Sequence, residues 1–85
     1  MDMVIIILRT ADQARKAELT LQRSNTGADV IQAAVDNWNL PIDTDYSLIN
    51  AGSGKNILPT QRLLDDVVKD GDVLEIQPVL VAGGM

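Results

Sequence analysis

Six consecutive apolar residues, at positions 3–8, constrain the fold of this chain more than any other feature. Three of them are isoleucines, and β-branched side chains favour strands. The run is far shorter than the ~20 apolar residues that a membrane-spanning helix needs, and no basic flank of a signal peptide accompanies it. It therefore predicts a buried or central strand of a sheet.

The composition bounds what this strand can belong to. The chain has 85 residues, which allows one small domain. Valine, isoleucine and leucine together account for 26 residues, whereas there is one Trp, one Tyr and no Phe. We expect a single small core built from branched aliphatic side chains.

Two absences and the net charge exclude several functions. The chain has no His and no Cys, which excludes thiol nucleophiles, disulfides, Cys/His zinc sites and imidazole acid–base chemistry. Twelve acidic residues against seven basic ones give a net charge of −5, the opposite sign from that of a nucleic-acid binder. We therefore expect a cytoplasmic protein with no metal, no cofactor, and no nucleic-acid or membrane partner.

A hairpin and a helix follow from local patterns. Residues 17–23 alternate apolar and polar side chains, which predicts a half-buried strand paired with the first one through a polar turn at 12–16. Thr26 is a good N-cap and Asp29 completes a capping box. The apolar positions that follow have the spacing of one helix face: Val30, Ile31, Ala34, Val35 and Trp38. Asn39 and Pro41 predict the end of this helix.

Three further segments complete the domain. Residues 46–51 and 57–58 are predicted strands, joined by a turn at 52–56. Residues 60–68 form a compact connection in which Leu63 and Leu64 are predicted to fill the core.

The last strand is predicted at residues 73–77, and Pro78 should weaken or end its pairing. We expect a domain at residues 1–78 and a flexible tail at 79–85. The first and last strands should be central neighbours in a mixed sheet of four to five strands packed on one α-helix. This is a two-layer α+β domain, the β-grasp architecture.

Four stretches carry a resemblance to a known family. Three of them, residues 26–39 with Leu40-Pro41, residues 47–52, and residues 63–64 through 71–74, occur in the order and at the spacings of the ubiquitin-like family. The fourth is the tail, which contains Gly83-Gly84. The resemblance covers about residues 3–84. Residues 71–74 and the Arg-poor surface also resemble the bacterial YukD-like branch of this fold.

The resemblance implies a function for the Gly83-Gly84 pair. In ubiquitin-like modifiers the terminal glycine carboxylate is adenylated, passed to a cysteine as a thioester, and attacked by a lysine amine of a target protein. Glycine has no side chain to obstruct the narrow channels of these enzymes. Because Met85 follows the pair, the chain is expected to be a precursor. A JAB-type or other processing peptidase would remove Met85 before the activating and conjugating enzymes act on Gly84.

The tail departs from ubiquitin in charge. Ubiquitin carries arginines there, whereas the four residues before the diglycine are uncharged: Val79, Leu80, Val81 and Ala82. We expect these residues to be recognised by an apolar groove in a dedicated bacterial or archaeal activating enzyme. When free, the chain is expected to be a monomer.

Two surface residues take roles from the same resemblance. Ile49 falls at the centre of ubiquitin's hydrophobic recognition patch, which Gln77 should make smaller here. The alternative is that neighbours simply half-bury Ile49. Lys55 lies near the position of a chain-forming lysine in ubiquitin and is the candidate acceptor for a second copy. The alternative is an ordinary solvated lysine.

Two other functions remain open at this stage. The chain could be a sulfur carrier, with Gly84 converted to a thiocarboxylate for cofactor or tRNA thiolation. It could also be a non-covalent interaction module like the YukD-type proteins. The chain itself is not expected to be an enzyme, because it has no nucleophile–base pair and no metal cluster.

Overall fold

A five-stranded sheet packs against one helix in the computed structural model, which describes residues 3–42, 44–64 and 67–79. The elements along the chain are β1 (Met3–Thr10), β2 (Lys16–Gln22), α1 (Gly27–Trp38), β3 (Tyr46–Asn50), β4 (Lys55–Ile57) and β5 (Val73–Pro78). The sheet order is β2-β1-β5-β3-β4. β1 pairs antiparallel with β2 and parallel with β5, and β3 is antiparallel to both β5 and β4. The predicted mixed sheet with central first and last strands is confirmed.

The apolar run of β1 is buried on one face only. Val4, Ile6 and Leu8 are at most 1% exposed, and they pack with the helix in the core. The alternate residues Met3 and Ile5 are each 43% exposed. The strand was predicted to be buried or central: its position inside the sheet is confirmed, but its burial holds for one face only. A single helix covers only one side of the sheet, which we call the inner face, and leaves the outer face open to solvent.

Helix α1 begins as its sequence predicts. Thr26 is the N-cap: its hydroxyl accepts from the Asp29 amide at 3.4 Å, and the Asp29 carboxylate accepts from the Thr26 amide at 3.0 Å. Gly27 lies so close to the chain after β4 that an added Cβ would clash with the Leu58 carbonyl oxygen. The helix ends at Asn39, which adopts the left-handed conformation with φ 52°. Both capping predictions are confirmed.

The fourth strand and the connection after it differ from their predictions. β4 occupies Lys55–Ile57 rather than 57–58, because it pairs with β3 directly after the tight turn at Gly54, and Leu58 is 59% exposed. Leu63 fills the core as predicted, but Leu64 is 50% exposed. Val68 takes the second core position instead, since the Leu64 carbonyl accepts from the Val68 amide in a turn that redirects the chain.

One buried amide organises the end of β3. The Asn50 side chain donates to the Val67 carbonyl and to the Asp72 carboxylate, both at 3.0 Å. Its oxygen accepts from the amides of Gly52 at 3.0 Å and Ser53 at 3.4 Å. Asn50 is 3% exposed, and its donors and acceptor are satisfied, as burial of a polar group requires.

Strand pairing continues past Pro78, contrary to the sequence prediction. Alternate residues of β5 bond to opposite neighbours: the Ile76 carbonyl accepts from Ala11 after β1, whereas the Val79 amide donates to the Asp45 carbonyl before β3 at 2.8 Å. Pro78 therefore directs its missing N–H toward the side of β1, where the paired part of that strand has ended. No ladder bond to β3 is lost, and the proline is tolerated.

Candidate interaction surface and C-terminal exit

Five apolar side chains share the outer face of the sheet. Met3, Ile5 and Ile7 come from β1, and Val73 lies opposite Ile7 in register on β5. Ile49 of β3 alternates with the buried Leu48 and therefore points outward, where it is half-buried. The structure places Ile49 on the face where the sequence expected it.

A charged pair lies beside Ile49 on the same face. Glu75 is opposite Ile49 on one side and opposite Arg9 on the other. The Arg9 Nε donates to Glu75 Oε1 at 3.0 Å, and these side chains are 27% and 15% exposed. Gln77 Nε2 donates to the second oxygen, Oε2, at 2.6 Å. The outer face thus has an apolar part along β1 and a polar part around Ile49.

The two donors keep Glu75 ionised. The hydrogen bond from Gln77 is the largest influence that holds the pKa of the Glu75 carboxyl below its ordinary value, and Arg9 adds a hydrogen bond and its positive charge. Partial desolvation opposes them but does not reverse the direction. At neutral pH the polar part of the outer face therefore carries the ionised Glu75 carboxylate paired with the Arg9 guanidinium.

Lys55 is exposed at the first position of β4. It lines a shallow cavity of about 340 Å³, and Lys69, Ser53 and Asp72 contribute to the same rim. The structure thus brings two of the chain's three lysines, Lys55 and Lys69, to one side of the molecule. The third, Lys16, is at the start of β2.

The last described residue, Val79, is at the end of the central strand β5. Val79 follows β5, is 41% exposed, and is held by its bond to Asp45. The other predicted tail residues lie outside the described part of the chain: Leu80, Val81, Ala82, Gly83, Gly84 and Met85.

Sequence reasoning missed the apolar half of the outer face. The strand that contains Ile5 and Ile7 was predicted to be buried or central. Their cross-strand partners in the predicted hairpin were the signal that these two side chains point outward. Their antiparallel partners on β2, Thr20 and Glu18, are polar and exposed, and cross-strand partners share a face. A polar partner on the hairpin therefore indicated an outward isoleucine.

The described residues form neither a metal site nor a membrane-spanning helix. Across 3–42, 44–64 and 67–79, no group of three or more acidic side chains is placed to hold a metal ion. None of the helical structure described is long and apolar enough to span a membrane.

The fold resembles that of two solved structures. A de novo designed protein based on ubiquitin is 17% identical with a TM-score of 0.77, over 98% of this chain and 96% of the designed one. The ubiquitin of Caldiarchaeum subterraneum is 24% identical with a TM-score of 0.75, over 95% of this chain and 99% of that ubiquitin. The sequence matches no protein-family model and no curated protein. The likeness shows a ubiquitin-like β-grasp fold.

The Glu75 cluster generates a prediction about stability against pH. Because the folded-state pKa of Glu75 lies below its ordinary value of 4.5, its ionised form stabilises the fold above that value, and this contribution is lost as the pH falls through the folded-state pKa. Glu75→Gln should therefore lower the free energy of unfolding at neutral pH, and the gap from the natural chain should shrink on acidification. Urea denaturation followed by Trp38 fluorescence between about pH 7 and pH 3 measures this gap.

Glu18→Gln is the matched control, because Glu18 is an exposed glutamate of β2 on the same outer face of the sheet as Glu75. It should show no comparable gap. A Glu75→Gln difference that stays constant across the pH series would contradict the assignment.

Proposed function

We propose that this chain is a ubiquitin-like protein modifier, made as a precursor and processed after Gly84. An activating enzyme adenylates the Gly84 carboxylate, and a conjugating enzyme transfers it to lysine amines of target proteins. The chain is the substrate of these enzymes and not an enzyme itself. Its setting is the cytoplasm of a bacterial or archaeal cell.

One observation carries this proposal. In a ubiquitin-like fold, the central strand β5 is followed in sequence by a segment that contains Gly83-Gly84. Val79, the last described residue, is 41% exposed at the end of this strand. The uncharged residues 79–82 support recognition by an apolar groove rather than by acidic partners. The peptide bond to Met85 supports a processing step, because it masks the carboxylate that adenylation needs.

The first test is a blot of the N-terminally tagged chain in its native host. The natural sequence should give a ladder of higher bands, and Gly84→Ala should abolish it, because a Cβ at that position crowds the acyl carbon where each transfer occurs. Mass spectrometry of the monomer should show loss of Met85. A ladder that survives Gly84→Ala would contradict the proposal.

Two other functions correspond to other outcomes of that experiment. A monomer whose mass increases by the replacement of one oxygen with sulfur would indicate a sulfur carrier. A single unmodified band in both strains would favour a non-covalent module, which the resemblance of residues 71–74 to the YukD-like branch supports.

We extend the proposal to Ile49 as the centre of a partner-binding surface. Ile49→Thr keeps a β-branched side chain but replaces the ethyl branch with a hydroxyl, which removes most of the apolar contact that Ile49 offers. It should weaken the conjugate ladder several-fold while leaving Trp38 fluorescence unchanged. Ile5→Thr is the matched control on the same face of β1, which is separated from β3 by β5. Equal effects of both substitutions would contradict a surface centred on Ile49.

Lys55 is the proposed acceptor for a second copy. Lys55→Arg keeps the charge but removes the nucleophilic amine, so species that contain two linked copies should disappear while single conjugates persist. Lys69→Arg is the matched control, since Lys69 lies on the rim of the same cavity. Linkage mapping by mass spectrometry of digested conjugates distinguishes them. Loss of linked copies in Lys69→Arg alone would refute the choice of Lys55.

A further inference from the structure

Helix α1 carries a second apolar stripe beside the one that packs in the core. Val30 and Ala34 are buried, whereas the residues that follow each of them, Ile31 and Val35, are only half-buried. Ala28 continues this second stripe toward the start of the helix, at the spacing that keeps side chains on one side of a helix. The helix therefore presents aliphatic surface beyond what the sheet covers.

This stripe forms one wall of a groove with a volume of about 330 Å³. The opposite wall includes Pro41 and Ile42, which follow the helix, and Tyr46 at the start of β3. The Tyr46 hydroxyl donates to the Pro41 carbonyl at 2.8 Å, which holds this wall together. Ile42 is 89% exposed, more than any other large hydrophobic side chain in the described part of the chain. The groove is thus an open apolar feature on the helix side of the domain.

The charge around this groove is acidic. Asp45 lines it, and Gln32 on the helix wall donates to the Asp36 carboxylate at 2.9 Å. The described residues that line the groove include no Lys and no Arg. Within residues 3–42, 44–64 and 67–79, the ion pair that forms joins Arg9 to Glu75 on the outer face. Neither carboxylate at the groove is therefore neutralised by an ion pair with these residues.

We propose that this groove binds a segment of a partner protein in which an aliphatic side chain stands next to a lysine or arginine. The apolar walls favour the aliphatic side chain, and the carboxylates of Asp45 and Asp36 favour the adjacent cation. An acidic segment would be repelled by the same carboxylates. This surface is separate from the outer face that carries Ile49, so the inference does not rest on the modifier function.

Titration of the full-length, isotopically labelled chain with a synthetic peptide tests the proposal. The probe is the acetylated, amidated peptide Gly-Ser-Lys-Leu-Leu-Lys-Ser-Gly, and the control peptide has glutamate in place of both lysines. The lysine peptide should shift the NMR amide signals of Ile31, Gln32 and Tyr46 and leave that of Ile49 unchanged. The glutamate peptide should bind about tenfold more weakly or not at all, because like charges then face each other.

Three results of this titration would overturn the proposal. The first is equal affinity for the two peptides, and the second is the absence of shifts with the lysine peptide or shifts centred on the outer face. The third is movement of the same groove signals with the concentration of the chain alone, which would show that a second copy occupies the groove.

Asp45→Asn tests the role of charge at nearly constant side-chain size. The backbone carbonyl of residue 45 still accepts from the Val79 amide, so the fold should be retained. The affinity for the lysine peptide should fall about threefold, as expected for an exposed ion pair. Glu18→Gln is the matched control, because it removes the same charge from the outer face of β2. Equal losses would attribute the binding to the net charge and refute a site at the groove.

Ile42→Ser tests the apolar wall. Because Ile42 is exposed, the substitution should leave the fold and its Trp38 fluorescence unchanged, while the affinity for the lysine peptide should fall about fivefold through lost apolar contact. Leu64→Ser is the matched control, since Leu64 is also exposed and does not line the groove. A loss of the same size in both variants would contradict the proposal. Because no conjugating enzyme is present in these titrations, failure of this site and failure of the modifier function are distinguishable.

Discussion

The parallel pairing of β1 with β5 is the interaction on which the rest of the structure depends. The Ile7 amide donates to the Asp72 carbonyl at 2.9 Å and the Gly71 amide donates to the Ile5 carbonyl at 2.8 Å, which joins the beginning of the described chain to its end. A parallel pair requires a long connection that crosses over the sheet, and here that connection contains the helix. The helix covers the inner face. The same pairing places the last strand at the centre of the sheet, so Val79 follows a strand flanked by β1 and β3 rather than an edge strand.

Side chains, rather than regular backbone pairing, hold the connection between β4 and β5 in place. Leu63 and Val68 are fully buried, and the Arg23 guanidinium donates to both of their carbonyls, at 3.3 Å and 2.9 Å. From the other side, the Asn50 amide donates to the Val67 carbonyl. Buried polar groups of this kind stabilise a fold only when they are satisfied, since an unpaired one costs about 1–3 kcal/mol. The carbonyls of Leu63, Val67 and Val68 are thus satisfied by two polar residues from other parts of the chain, Arg23 in the turn after β2 and Asn50 at the end of β3.

The sequence predicted what is decided locally and failed where a distant neighbour decides. Thr26 and Asp29 form their capping box within three residues, and the strand order follows from the spacing of the elements. The burial of β1 is different: whether Ile5 is inside or outside depends on how many faces of the sheet the helix covers. Likewise Val68 rather than Leu64 fills the second core position, because the chain turns after Leu64. Pro78 is tolerated because its nitrogen points toward the side of β1, where the paired part of that strand has ended. The Arg9–Glu75 pair joins residues far apart in sequence, so no local pattern could reveal it.

An uncharged tail changes how such a chain can be recognised. An arginine-bearing tail is selected by directional ion pairs, whereas residues 79–82 offer only apolar contacts and backbone hydrogen bonds. Apolar contact is non-directional, so it selects partners less sharply than an ion pair does. For the modifier function proposed above, recognition of residues 79–82 would therefore rest on the shape of the partner's groove and on backbone hydrogen bonds rather than on charge.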